Sequence, residues 1–146
     1  MTEVKEQICE LIQKSIQNKQ YNSEILFDIP LKTVKRIKEI LHFNMNEYKC
    51  VITSHSIRHV KKGHPNDLPY ICEIPIIIQK FDRVHKSITK DKKKNSTLIS
   101  IEFYKKYSNN TIKLVKLKIN MDLYLLFLRS RALFRSGLLL VGHVLC

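Results

Sequence analysis

The chain has no tryptophan, only three glycines and four prolines among 146 residues, and 13 acidic side chains against 26 Lys and Arg. So little glycine and proline excludes collagen-like repeats and long flexible linkers. Cys9, Cys50, Cys72 and Cys146 form no CxxC pair, and no histidine stands at zinc-finger spacing from them. Free buried thiols are therefore the expected state, and no structural metal or cofactor is expected. There is no apolar run of the ~20 residues that a membrane-spanning helix needs, and Glu3, Lys5, Glu6 and Glu10 interrupt any signal-like start. A cytoplasmic chain without stable membrane insertion is the expectation. No internal repeat is visible.

What is present is 44% hydrophobic and 27% charged residues, the composition of a globular domain with a real core. The net charge of +13 is unevenly spread. Residues 1–47 hold 7 Lys+Arg against 7 Asp+Glu, residues 48–120 hold 16 against 5, and residues 121–146 hold 3 against 1. A neutral front half precedes a strongly basic one. Clustered cations gain affinity for a polyanion by releasing its counterions, so nucleic acid or an anionic membrane surface is the expected partner, against the plainer reading of a soluble surface.

Val4, Ile8, Leu11, Ile12 and Ile16 have helical spacing and predict an amphipathic helix over 3–18, followed by a loop over 18–23. Asp28 and Pro30 are start signals for a second helix with the stripe Leu31, Val34, Ile37, Ile40 and Leu41, ending near His42; Lys32, Lys35, Arg36 and Glu39 read as its solvated side. Residues 48–53 are a short strand or an extended lead. Thr53 or Ser54 can cap a third helix that Gly63 closes, with Pro65 just beyond. Residues 69–79 combine helical isoleucine spacing with Pro75 and lean to helix. Val84 to Ile88 reads as a strand, residues 90–95 as a charged turn, and Thr97 to Tyr107 as an alternating strand. After a turn at Asn109-Asn110, the return strand changes phase between Leu114 and Val115, which predicts a bulge there. Leu123 to Leu128 is a candidate last strand. The expected organisation is one domain over 1–128, with 1–27 a helical extension. Residues 129–146 form an atypical tail, read as an altered end or a membrane-surface helix.

The chemistry concentrates in Thr53-Ser54-His55-Ser56-Ile57-Arg58-His59-Val60-Lys61-Lys62-Gly63-His64-Pro65. At about 100° per residue, with His55 at zero, His59 lies near ~40°, Lys62 near ~340° and Arg58 near ~300°, while Ile57 and Val60 lie near ~200° and ~140°. Two imidazoles and two cations thus share a face opposite two apolar residues. Three readings compete. Zinc chelation by the i, i+4 histidines lacks the adjoining Glu of a metalloprotease, since that place is Ser56, and it lacks an evident third ligand. Metal-independent RNA cleavage needs a base for the 2′-OH, an acid for the 5′ leaving oxygen and cations for the phosphate. Histidine suits either proton transfer and Arg58 suits the phosphate. The plain reading is an exposed basic face without chemistry, a nucleic-acid-binding module.

The stretch Val51 to Val60, followed by Gly63-His64-Pro65 and by Leu68-Pro69 to Phe81-Asp82-Arg83-Val84, resembles the phage- and prophage-associated nucleases of the barnase-EndoU-colicin-RelE-like superfamily. The likeness spans about residues 28 to 120, and Ser-His-x-x-Arg-His is its most specific part. The resemblance implies an α+β fold, with helices packed on an antiparallel sheet of about four strands that presents the active site. The helix, helix, strand-meander order is compatible with it. It further implies a toxin-type, metal-independent endoribonuclease that forms a 2′,3′-cyclic phosphate, with RNA as partner and an antitoxin or immunity protein as a second one. His55, Arg58 and His59 carry over as catalytic residues. Lys61, Lys62 and His64, with Ser100, Tyr104 and Lys105 from the residue reading alone, are candidate RNA contacts; the last three read equally as ordinary exposed strand residues.

Overall fold

The computed structural model describes residues 2–46, 48–93, 95–120 and 138–145. The fold is α+β, in the order α1 (Thr2–Gln17), β1 (Glu24–Asp28), α2 (Leu31–Leu41), β2 (Lys49–Thr53), α3 (Ser54–Gly63), a 3-10 segment (Pro65–Glu73), α4 (Ile74–Gln79), β3 (Arg83–Asp91), β4 (Ser96–Lys106), β5 (Ile112–Asn120) and β6 (Leu138–Leu145). Antiparallel pairing makes two blocks, β1 with β2 and the meander β3-β4-β5. Strand β6 lies between them, parallel to β2 and antiparallel to β5, giving the order β1-β2-β6-β5-β4-β3.

This is more sheet than the four strands expected. Residues 24–28, inside the supposed helical extension, form a strand because Ile25-Leu26-Phe27 is a β-prone run that pairs with Cys50 to Ile52. Residues 138–145, inside the supposed tail or membrane-surface helix, form β6. The candidate strand over Leu123 to Leu128 lies outside the described residues. No described helix is long and apolar enough to cross a membrane.

Helices and sheet meet over one core. Ile8, Leu11 and Ile12 of α1, Ile37 of α2, Ile57 and Val60 of α3, and Ile74, Ile77 and Ile78 of α4 pack with Ile101, Phe103, Val115 and Leu117. Pro75 is compatible with α4 because it occupies the first turn, where no intrahelical N–H is needed. Four local expectations change. Gly63 stays within α3, and the helix ends at His64 without a left-handed glycine. Leu31 and Ile40 of the α2 stripe are exposed, while Thr33 is buried and its Oγ1 donates to the Ile78 carbonyl at 3.0 Å. Arg36 is not simply solvated: its guanidinium stacks 4.0 Å from the Phe81 ring centroid. Cys9 and Cys72, expected as free thiols, form a disulfide across a Cα–Cα distance of 5.4 Å, linking α1 to the 3-10 segment, while Cys50 is a buried free thiol.

The β4–β5 hairpin also departs from expectation. Its turn is the predicted one, with Asn110 at φ 65°, but the ladder runs without a bulge from Ser100 opposite Lys118 to Lys106 opposite Ile112. The register irregularity near Lys116 and Leu117 belongs to the pairing with β6. The phase change has another cause: Lys113 takes an inward position, in line with Val115, Leu117 and Ile119, and Ile112 and Leu114 turn outward. Lys113 is 3% exposed, its Nζ lies 2.9 Å from Asp67 Oδ1 and 3.9 Å from the Tyr70 ring centroid. Removing one member of such a buried pair strands the other charge, a cost of about 3–5 kcal/mol, whereas replacing both with apolar groups is often neutral. Lys113→Met is therefore expected to destabilise by about that amount, and Asp67→Leu with Lys113→Met to recover most of it. Urea unfolding followed by circular dichroism measures both; equal midpoints for wild type and Lys113→Met would show the pair to be dispensable.

Candidate active site and nucleic-acid interface

Helix α3 starts where β2 ends, and three side chains fix it. The Thr53 hydroxyl accepts from the Ser56 N–H at 3.1 Å, the N-cap bond. Buried Ser54 takes the Ser15 hydroxyl of α1 at 2.8 Å and the Ser23 N–H at 3.1 Å, tying α1, the approach to β1 and α3 together. Ile57 and Val60 anchor the apolar side. His55, His59, Lys61, Lys62 and His64 are all exposed, and for His55, His59 and Lys62 that is the placement the helical wheel predicts.

Arg58 departs from the expectation of an open phosphate fork. It is half-buried, and its Nη2 donates to the carbonyls of Lys19 (3.0 Å), Asn18 (3.5 Å) and Tyr21, while its buried Nε has no hydrogen-bond partner among the described residues. The reason lies in α1, which ends at Gln17: the carbonyls around a helix C-terminus lack intrahelical donors and carry partial negative charge. Arg58 satisfies several at once and braces the 18–21 loop against α3.

The sheet candidates separate from the helix. Because α3 packs on the inner layer with Ile101 and Phe103 in the same core, its histidines point away from the sheet. Ser100 is 3% exposed and does not offer a surface contact. Lys105 donates from Nζ to the Lys80 carbonyl at 3.3 Å. Tyr104 does lie on the outer face, and there it meets groups that sequence reasoning missed. His85 is opposite Glu102, and Arg83 opposite Tyr104, across β3 and β4; Lys116 is opposite Glu102 on β5. Arg83 Nη2 lies 3.3 Å from His85 Nε2, the His85 and Tyr104 rings meet edge-on at 5.5 Å, and Tyr104 Oη donates to Glu102 Oε2 at 3.2 Å. Arginine can only donate, so a hydrogen bond in this contact uses Nε2 as the acceptor. Burial, and then the Glu102 carboxylate, push the Tyr104 hydroxyl above its ordinary value, with Arg83 pulling the other way, so it remains a donor at neutral pH. The one available signal was Arg-Val-His at period two facing Glu-Phe-Tyr at period two.

This row places an imidazole, a carboxylate, a phenol and a guanidinium within one cluster, the parts needed for proton transfer and anion binding without a metal. Beside it opens a cavity of about 890 Å³ lined by Asp82, Arg83, Tyr104, Lys106, Tyr107, Ser108, Asn110, Ile112 and Leu114. Among the described residues, no group of three or more His, Cys, Asp or Glu is placed to hold a metal ion.

Residues 30–129 match the family described as phage-Barnase-EndoU-ColicinE5/D-RelE like nuclease3. The chain belongs to this family. No curated protein and no solved structure matches it. As a nuclease of the barnase-EndoU-colicin-RelE type, it has both candidate faces, α3 and the β3-β4-β5 meander, inside the matched residues, whereas α1 and β1 precede them and β6 follows. The carbonyls that hold Arg58 therefore come from outside the nuclease match.

The two roles of α3 separate by substitution. Arg58→Ala removes charge-assisted bonds and is expected to lower stability by about 1.5–3 kcal/mol, whereas His55→Ala and His59→Ala, on an exposed face, should each stay within about 0.5 kcal/mol. Denaturant midpoints decide it; an unchanged midpoint for Arg58→Ala would mean that the brace contributes nothing.

Proposed function

We propose that the protein is a metal-independent endoribonuclease that cleaves RNA by attack of the 2′-OH on the adjacent phosphate, leaving a 2′,3′-cyclic phosphate and a 5′-OH. The observation that carries this reading is the Arg83–His85–Tyr104–Glu102 cluster on the outer sheet face. RNA supplies its own nucleophile, so the enzyme's part is to move two protons and to stabilise the extra charge on phosphorus. Glu102 takes the 2′-OH proton. Arg83 exchanges its contact with His85 for the scissile phosphate, which it binds through two N–H groups. With Arg83 moved to the phosphate, His85 Nε2 takes up a proton from solvent and gives it to the 5′ leaving oxygen. Tyr104 holds Glu102 in place, and Lys116 and Lys118 extend the positive field along the strand.

A second assignment of the same chemistry rests on the exposed His55 and His59 pair, which lie on one face of α3 at i, i+4 and act as base and acid in either order. Lys61, Lys62 and His64 would then track the backbone beside them. Under either assignment the excess of cations makes an acidic protein inhibitor, an antitoxin or immunity partner, the complementary binding partner of a toxin-type enzyme.

Incubation of a defined RNA in EDTA, with the product ends analysed, checks the reaction. Cleavage giving 2′,3′-cyclic phosphate ends, with the matching DNA left intact, is the expected result. A requirement for added divalent metal would overturn the mechanism. Salt-sensitive RNA binding with no cleavage under any condition would instead identify a non-catalytic binding module.

A further inference from the structure

We infer that His55 and His59 form an open binding site for a divalent ion of the zinc, nickel and copper class, a ligand-binding role separate from the cleavage chemistry. Both histidines are exposed on α3, one turn apart, so their Cβ atoms stand about 5–6 Å from each other on one side of the helix. Imidazole nitrogens bind zinc at about 2.0–2.1 Å, and the two rings of an i, i+4 pair reach a single ion from one helix face. Neither ring has a hydrogen bond, ion pair or ring contact with a described residue, so no other interaction has to be given up. His85, by contrast, is engaged with Arg83 and Tyr104. The Glu that Ser56 replaces is the general base of a metalloprotease and not a ligand, so its absence bears on hydrolysis and not on binding.

The surroundings favour the ion in three ways. Arg58 shares the arc and would repel a cation, but its guanidinium is drawn to the carbonyls of Asn18, Lys19 and Tyr21, whose partial negative charge offsets its own. Lys62 is exposed, and its flexible stem lets the ammonium stay in water away from the ion. The helix is held without the metal, by the Thr53 cap, the Ser15–Ser54 bond and buried Ile57 and Val60, so chelation carries no cost of folding it. Competing thiols are closed: Cys9 and Cys72 are joined and Cys50 is buried. No third His, Cys, Asp or Glu joins the pair among the described residues, so the ion keeps positions for water or for an oxygen of a bound anion. Two nitrogen ligands suit zinc, nickel or copper, whereas magnesium and calcium take oxygen. Beside Lys61 and Lys62, which attract phosphate through space, the ion offers a phosphate oxygen a direct bond.

The test titrates the full chain, carrying Cys146→Ser to remove the remaining thiol, with zinc chloride alone. Calorimetry gives affinity and stoichiometry, and the ring signals of the histidines in nuclear magnetic resonance report which of them bind. One ion per chain is expected, with the His55 and His59 signals moving together and magnesium moving neither. The second imidazole makes its bond intramolecular, so His55→Ala and His59→Ala should each weaken binding by about 10²-fold. His42→Asn, at an exposed histidine whose left-handed backbone asparagine tolerates, should leave the affinity unchanged. Zinc should also raise the unfolding temperature of the parent chain and not that of either alanine variant. Affinity unchanged by both alanine substitutions, ring shifts at other histidines in place of these two, or no binding at millimolar zinc would overturn the site. Cleavage is not the readout, so the result stands apart from the ribonuclease reading.

Discussion

The buried contact between Lys113 and Asp67 is the constraint on which the working face of the sheet depends. Side chains of a strand alternate, so a one-residue shift in β5 would exchange everything it shows to the core with everything it shows to solvent. Hydrophobicity alone does not choose well between the two settings at the start of β5, because Ile112 and Leu114 compete with Val115, Leu117 and Ile119 for the inside. Asp67, on the 3-10 segment, decides it by drawing Lys113 inward, with the Tyr70 ring completing the cation's surroundings. The consequence reaches the next strands: Lys116 and Lys118 are held outward beside Glu102 and Ser100, and Ile112 and Leu114 become the floor of the cavity. An ion pair that contributes little to net stability against an apolar pair can thus earn its place by fixing a register.

The helical layer is organised by a second set of polar contacts that perform no chemistry. Ser15, Ser54 and Ser23 meet at the start of α3, and Arg58 gathers the carbonyls beyond the end of α1. With the Cys9–Cys72 disulfide these tie α1, which lies outside the nuclease match, firmly to the matched domain. The division of labour is physical. Apart from the Lys113–Asp67 pair, the inner face of the sheet is filled largely by aliphatic and phenylalanine side chains, so the solvent-accessible titratable groups gather on the outer face or on the exposed side of a helix.

Local pattern was enough to find α1, α2, α3 with its Thr53 cap, the β4 alternation and the Asn109-Asn110 turn, because each is written within a few residues. The exposed placement of His55 and His59 was legible for the same reason. What could not be read depends on partners far along the chain. Arg58 lies on the expected arc, but the carbonyls that bind it are about 40 residues away in sequence. Cys9 finds Cys72 across a separation of 63 residues. The His85–Glu102 pairing requires the hairpin register, and the burial of Lys113 depends on Asp67, 46 residues earlier in the chain. Strand β1 overlaps the end of the stretch that reads as a helical extension and the Asp28 start signal of α2, and β6 falls in a composition that reads unlike the rest of the chain.

The central claim is that the chemistry belongs to the outer face of the sheet, with the exposed face of α3 serving at most to bind the substrate. Single-turnover cleavage rates of one RNA in EDTA, with His85→Ala compared directly against the His55→Ala/His59→Ala double variant, test it most directly. Loss of a general acid predicts a fall of about 10²- to 10⁴-fold for His85→Ala, with the double variant retaining the chemical rate at saturating enzyme. A near-normal rate in His85→Ala together with a collapse in the double variant would contradict it and place the reaction on α3.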